Sequence, residues 1–196
     1  MRKQWFGDSR DYVKWNVIYE EASANAIVCY LAMARPDEIR GRINATVKAF
    51  FEKYKDLGLP QELFDGRFRS LLTNYETGQN TKYFDEAERI VRLAQCEGAI
   101  VIFVDPDTGV QPRKGKATDK HIGLSDLQRL VGLLRHNDKL ILYQHSPRNR
   151  TDGWIQGYVD RLKDYQWPTQ VRISSNDVHP CASDVCFLKF ERGGTS

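Results

Sequence analysis

The segment Ile100-Val101-Ile102-Phe103-Val104 is apolar without interruption and stops at Asp105-Pro106-Asp107-Thr108-Gly109. A run of strand length that never alternates with polar residues has both faces buried, as in a parallel sheet covered by helices on each side. Leu140-Ile141-Leu142-Tyr143 repeats the design and ends in Gln144-His145-Ser146-Pro147-Arg148, and Ala26-Ile27-Val28-Cys29-Tyr30-Leu31-Ala32-Met33 reads as a third buried strand. Such strands need helices between them.

Candidate helices lie where they are needed. Ser9 or Asp8 caps one running through about Glu21 with Tyr12, Val13, Trp15, Val17 and Ile18. Pro36 suits the first turn of the next, whose Ile39, Ile43, Val47, Phe50 and Tyr54 keep helical spacing up to Gly58. Thr81 caps a helix carrying Phe84, Ala87, Val91 and Ala94, and Ser125 caps one carrying Leu127, Leu130, Val131 and Leu134. Thr151 or Asp152 opens the last, with Ile155, Tyr158, Val159 and Leu162. Gln61 to Asn80 has no spacing that decides between a short helix and irregular cover. Thr169 to Ser174 and Val185 to Phe190 alternate around a polar turn and predict an antiparallel pair. The expected fold is α/β: a three-layer Rossmann-like sandwich, its sheet mostly parallel and ending in an antiparallel strand pair. With 196 residues, it is expected to be a single α/β domain spanning 1–196.

No apolar stretch approaches the roughly 18 residues of a membrane span, and Met1-Arg2-Lys3 runs into Trp5-Phe6-Gly7-Asp8 without an apolar signal core, so a cytoplasmic protein without a membrane partner is expected. The four cysteines do not make a disulfide framework; Cys29 and Cys96 read as small core residues, and Cys181 and Cys186, near His179, as incidental thiols in a hairpin rather than a zinc site. The net charge of +3 permits a nucleic-acid or nucleotide partner. Arg113, Lys114, Lys116, Lys120 and His121 crowd the loop after Asp107, which reads either as a solvated loop or as a phosphate-facing rim.

Ligands of open α/β sheets sit outside the carboxyl ends of the strands. Asp105 and Asp107, one residue apart at such an end, can both reach one hard cation bridging to phosphate, or can cap and solvate a turn. His145 suits a general base or a metal ligand, or a structural histidine. Arg148 suits phosphate or one of the aspartates. Asp8, Asp11 and Lys14 share one helix face and form either a second wall of the crevice or a local cap and ion pair. The leading expectation from these residues is a Mg2+- or Mn2+-dependent hydrolase of phosphodiester or phosphate bonds, a nuclease or phosphatase acting on nucleic acid or a nucleotide. In it Asp105 and Asp107 are the metal ligands, His145 is the base or a further ligand, Arg148 with Lys114 or Lys116 holds phosphate, and Asp8, Asp11 and Lys14 add substrate contacts from the second wall. A non-catalytic α/β interaction module is a further alternative.

The motifs Phe6-Gly7-Asp8 with Asp11 and Lys14, Asp105-Pro106-Asp107-Thr108-Gly109, and Tyr143-Gln144-His145 with Arg148 together resemble a family of bacterial and phage proteins. More distantly, the chain is similar to class I S-adenosylmethionine-dependent methyltransferases acting on nucleic-acid bases. In those, a helix with Asp and Lys can precede the first strand, a later strand ends in Asp-Pro-Pro-Tyr or a relative, and the sheet closes with an antiparallel pair. That resemblance implies S-adenosylmethionine as cofactor, in an active or a decayed site. Two departures are visible: Ala32-Met33-Ala34-Arg35-Pro36 stands where a glycine-rich loop follows the first strand, and Asp107 stands where the second proline does. The acidic signature is also similar over about five residues to those of Toprim nucleases and haloacid dehalogenase-like phosphatases, whose further acids have no evident match.

Overall fold

The computed structural model describes residues 9–22, 26–32, 68–71, 80–113, 120–147, 152–176 and 182–193. The helix expected from Pro36 to Gly58 lies outside them, as do Asp8, Lys114, Lys116 and Arg148. In chain order the elements are α1 (Ser9–Glu21), β1 (Ile27–Ala32), β2 (Phe68–Leu71), α2 (Asn80–Glu97), β3 (Ile100–Asp105), β4 (Gly109–Val110), β5 (His121–Ile122), α3 (Leu124–Gly132), β6 (Lys139–His145), α4 (Trp154–Lys163), β7 (Val171–Ser175) and β8 (Val185–Arg192).

Six strands form one sheet in the order β2-β1-β3-β6-β8-β7. β2, β1, β3 and β6 are mutually parallel, whereas β8 runs antiparallel to both of its neighbours and so sits between two strands of the opposite direction. The chain moves outward from β1 to β2, then crosses back to β3 and proceeds the other way to β6. The switch in winding therefore falls between β1 and β3, where Ala32 is register partner of Asp105.

Strand parity sorts the core into two layers. Cys29, Leu31, Ile100, Ile102, Val104, Leu140, Leu142, Cys186, Leu188 and Phe190 pack against α2, α3 and α4. On the opposite face Val28, Tyr30, Val101, Phe103, Ile141, Tyr143 and Phe187 pack against Val13, Trp15, Val17 and Ile18 of α1. That second layer is aromatic: Trp15 stacks on Tyr30 with centroids 5.3 Å apart, Tyr30 on Phe103 at 5.6 Å, and Phe103 leans on Phe187 at 6.2 Å.

Several local expectations change. Phe68–Leu71 is a strand, too short to show any periodicity before β1 pairs with it. Cys96 is exposed, its thiol donating to the Arg92 carbonyl oxygen, because it sits on the outer side of α2; Cys29 is buried as expected, which pushes its thiol up to about 12. α3 starts from Gly123 rather than from a Ser125 cap, and α4 from Gly153, whose left-handed φ of 76° suits a residue without Cβ. The loop after Asp107 contributes β4 and β5, a two-stranded parallel pair.

Candidate functional site at the carboxyl edge of the sheet

Asp105 is the last residue of β3 and shares parity with Val101 and Phe103, so its side chain lies on the α1 face of the sheet. It is 2% exposed. A carboxylate at such depth needs partners, and two reach its Oδ2: the Lys14 ammonium at 2.9 Å and the Tyr30 hydroxyl, which donates at 2.5 Å. Lys14, 5% exposed, comes from the inner face of α1, and its ammonium also lies 4.2 Å from the centre of the Tyr143 ring. Tyr143 in turn meets the His145 ring edge-on at 4.8 Å. A continuous cluster, Tyr30-Asp105-Lys14-Tyr143-His145, thus joins the carboxyl ends of β1, β3 and β6 on one face.

Burial and the cations Lys14 and Arg10 hold the His145 imidazole below its ordinary pKa, so the neutral ring is favoured. Burial also raises the Tyr143 phenol, keeping it protonated. Arg10 donates to both oxygens of Asp184 at the outer rim, at 3.4 and 2.6 Å; that contact holds the Asp184 carboxyl below the usual range.

The opposite face of the edge is built by Gln144, 1% exposed. Its Oε1 accepts from the Val110 amide at 2.8 Å, and its Nε2 donates to the carbonyl oxygens of Thr108 and His145 at 3.3 and 2.7 Å. The His145 amide adds a bond to the Thr108 carbonyl at 3.2 Å. The Asp-Pro-Asp-Thr-Gly turn is therefore clamped by the strand end beside it. Gly109, at φ 119°, lies so close that a Cβ there would sit 2.3 Å from Gln144 Oε1.

Of the residues singled out from sequence, Asp105, Lys14 and His145 belong to this one cluster, and Asp107 lies half-buried just past it. Asp11 is on α1, and Asp8, Arg148, Lys114 and Lys116 fall outside the described residues. Sequence reasoning overlooked Tyr30, whose signal is a hydroxyl-bearing residue two positions before the end of an otherwise apolar strand. It also overlooked Arg10 and Asp184, which lie 174 positions apart and which no local pattern links.

The elements now stand in the relative order implied by the methyltransferase resemblance. A helix supplies Lys14 ahead of β1, β3 ends in Asp-Pro at the winding switch, and an antiparallel strand closes the sheet. The fold is a Rossmann-like α/β sandwich with a mostly parallel sheet. Over nearly its whole length the chain is similar to two solved structures. One is an rRNA methylase from Streptococcus thermophilus, at 9% identity and a TM-score of 0.43, covering 92% of this chain and 95% of that one. The other is a putative rRNA methylase from Clostridium thermocellum, at 8% identity and a TM-score of 0.36, covering 94% and 97%. No family model matches the chain. No curated protein matches it.

The expectation of a metal-dependent phosphohydrolase is corrected. The carboxylate assigned to Mg2+ or Mn2+ already has partners of its own: the Lys14 ammonium and the Tyr30 hydroxyl both bond its Oδ2. Among the described residues no three His, Cys, Asp or Glu side chains come together to hold a metal. The pattern Asp-x-Asp misled because spacing shows that two acids are close, and not what a helix ninety positions upstream brings to one of them. Among the described residues no helix is long and apolar enough to cross a membrane.

Proposed function

We propose that this chain is a class I methyltransferase-like protein directed at nucleic acid, working at the crevice over the carboxyl ends of β1, β3 and β6. The observation that carries this reading is the sheet order with antiparallel β8 between β6 and β7, its winding switch lying at Asp105. Arg113 and Lys120, which flank a segment containing Lys114 and Lys116, support a polyanionic partner.

S-adenosylmethionine is the methyl donor that the fold implies, and the residues do not fit it in the form the resemblance implies. No glycine occurs between Ala32 and Gly41, so the sequence after β1 lacks the glycines that the resemblance implies for close approach to the ligand. The reading is accordingly the decayed form of the site. The residues hold one another instead: Lys14 and Tyr30 fix Asp105 as an immobile carboxylate, Gln144 fixes the turn behind it, and His145 stays neutral at pH 7.

The test pairs two titrations. A fluorescein-labelled single-stranded RNA is expected to bind with an affinity that falls steeply with salt, while millimolar S-adenosylmethionine is expected to move the melting temperature by less than about 1 °C. Absence of RNA binding would sink the nucleic-acid reading. Micromolar binding of S-adenosylmethionine, with methyl transfer to the RNA, would replace the decayed site by an active one.

A further inference from the structure

Arg161, on the last full turn of α4, is half-buried, and Nη2 donates to the Gln111 carbonyl oxygen at 2.7 Å. Among the described residues this is its only hydrogen bond, and no carboxylate pairs with it. Two residues beyond Gln111, Arg113 is exposed and likewise has no acidic partner among the described residues. The two guanidiniums share one neighbourhood. Burial lowers the pKa of Arg161, with Tyr158 acting the other way and Arg113 lowering it further. Several other arginines are paired with acids: Arg129 bonds Asp85 and Glu88, Arg89 bonds Glu86, Arg172 bonds Glu191, and Arg135 bonds Asp138. A half-buried cation beside a like charge is costly unless an anion completes it.

The position is fixed by the fold. The Gln111 amide donates to the Ile122 carbonyl oxygen at 3.0 Å, tying the strand exit to β5, and the Val110 amide is held by Gln144. The arginine pair therefore stands beside the clamped Asp-Pro-Asp-Thr-Gly turn, on the sheet face opposite the Asp105 cluster. An extended ligand could lie across this edge, with an anionic group on the arginines and its neighbour over the crevice.

We propose that Arg161 and Arg113 form a binding site for a backbone phosphate of the nucleic-acid partner. This rests on the nucleic-acid reading above. Guanidinium recognises phosphate through paired N–H donors, and the Arg161 donors that have no partner among the described residues suit that geometry.

The experiment measures binding of the labelled single-stranded RNA to the parent chain, Arg161→Gln and Arg113→Gln over a range of salt concentrations. Each substitution is expected to weaken binding about three- to tenfold and to flatten the dependence of log K on log salt by about 0.7, equally for two unrelated RNA sequences. Arg113→Gln, at an exposed position, guards against loss of fold, checked by an unchanged circular dichroism spectrum. If the parent binds and both variants bind like it, the site is refuted while the nucleic-acid reading stands. If the parent does not bind, both fall. A loss confined to one RNA sequence would replace the phosphate contact by a base contact, and displacement of the RNA by about 10 mM inorganic phosphate alone would make this an isolated phosphate site rather than a backbone one.

Discussion

Lys14 and Asp105 are an ion pair that the core can hold only whole. Removing one member strands a charge under the sheet edge, whereas removing both exchanges a desolvated pair for packing. Lys14→Met is expected to cost about 3–5 kcal/mol in urea unfolding, and Lys14→Met with Asp105→Leu to recover much of it. Additive losses in the double variant would show that the two do not act as a pair. Gly109→Ala combines a positive φ with a collision at Gln144 and is expected to cost about 2 kcal/mol or more; adding Gln144→Ala should relieve the collision and leave the backbone strain. His145 sets a pH dependence of its own. Its folded pKa lies below the unfolded value near 6.5, so the unfolded chain takes up more protons as pH falls through that value, and stability falls with it. His145→Gln should flatten the decline of melting temperature between about pH 7 and pH 5.

Between elements, Asp138, 2% exposed at the entry to β6, ties four segments together. Its Oδ1 accepts the Ile100 amide that starts β3, and its Oδ2 accepts from Gln95 of α2 and from the Arg135 backbone amide and Nε after α3. Burial opposes its ionisation, yet the Arg135 side chain and backbone, Ile100 and Gln95 together outweigh burial and lower its pKa. Asp138→Ala is expected to cost about 3 kcal/mol by leaving those donors unpaired. Because the folded pKa is lowered, the contribution of Asp138 is present above the unfolded value of about 4 and is lost as pH falls through the folded pKa; acid titration of the parent and Asp138→Asn should diverge above that range and converge below it. Legibility follows the same division. The helix faces of α2 and α3 and the apolar strands could be read because burial imposes a period on long segments. The parity that puts Asp105 and His145 on the α1 side could not, since both faces of β3 and β6 are apolar and nothing in the run marks which is which. β2, β4 and β5 are too short for any period, and the basic loop concealed the strand pair at its two ends.

At the scale of the whole chain, two helix layers press on one sheet, and β3 and β6 lie at its middle with a partner strand on either side. Their amides are expected to exchange slowest with deuterium, and those of the edge strands β2 and β7 fastest among the strands; equally fast exchange in β3 and β7 would show that the sheet does not open from its margins. The position of β8 has a further consequence, for the order in which the fold can be assembled. β7 makes its ladder with β8 and none with β6, so when β7 has been synthesised its place in the sheet does not yet exist. Until Val185–Arg192 emerges, β6 keeps an open, hydrophobic edge, and the growing chain carries its most aggregation-prone margin on the strand that ends in Gln144 and His145. The carboxyl edge is thus closed late: Asp184 emerges 174 positions after Arg10, and only then can the rim between them form.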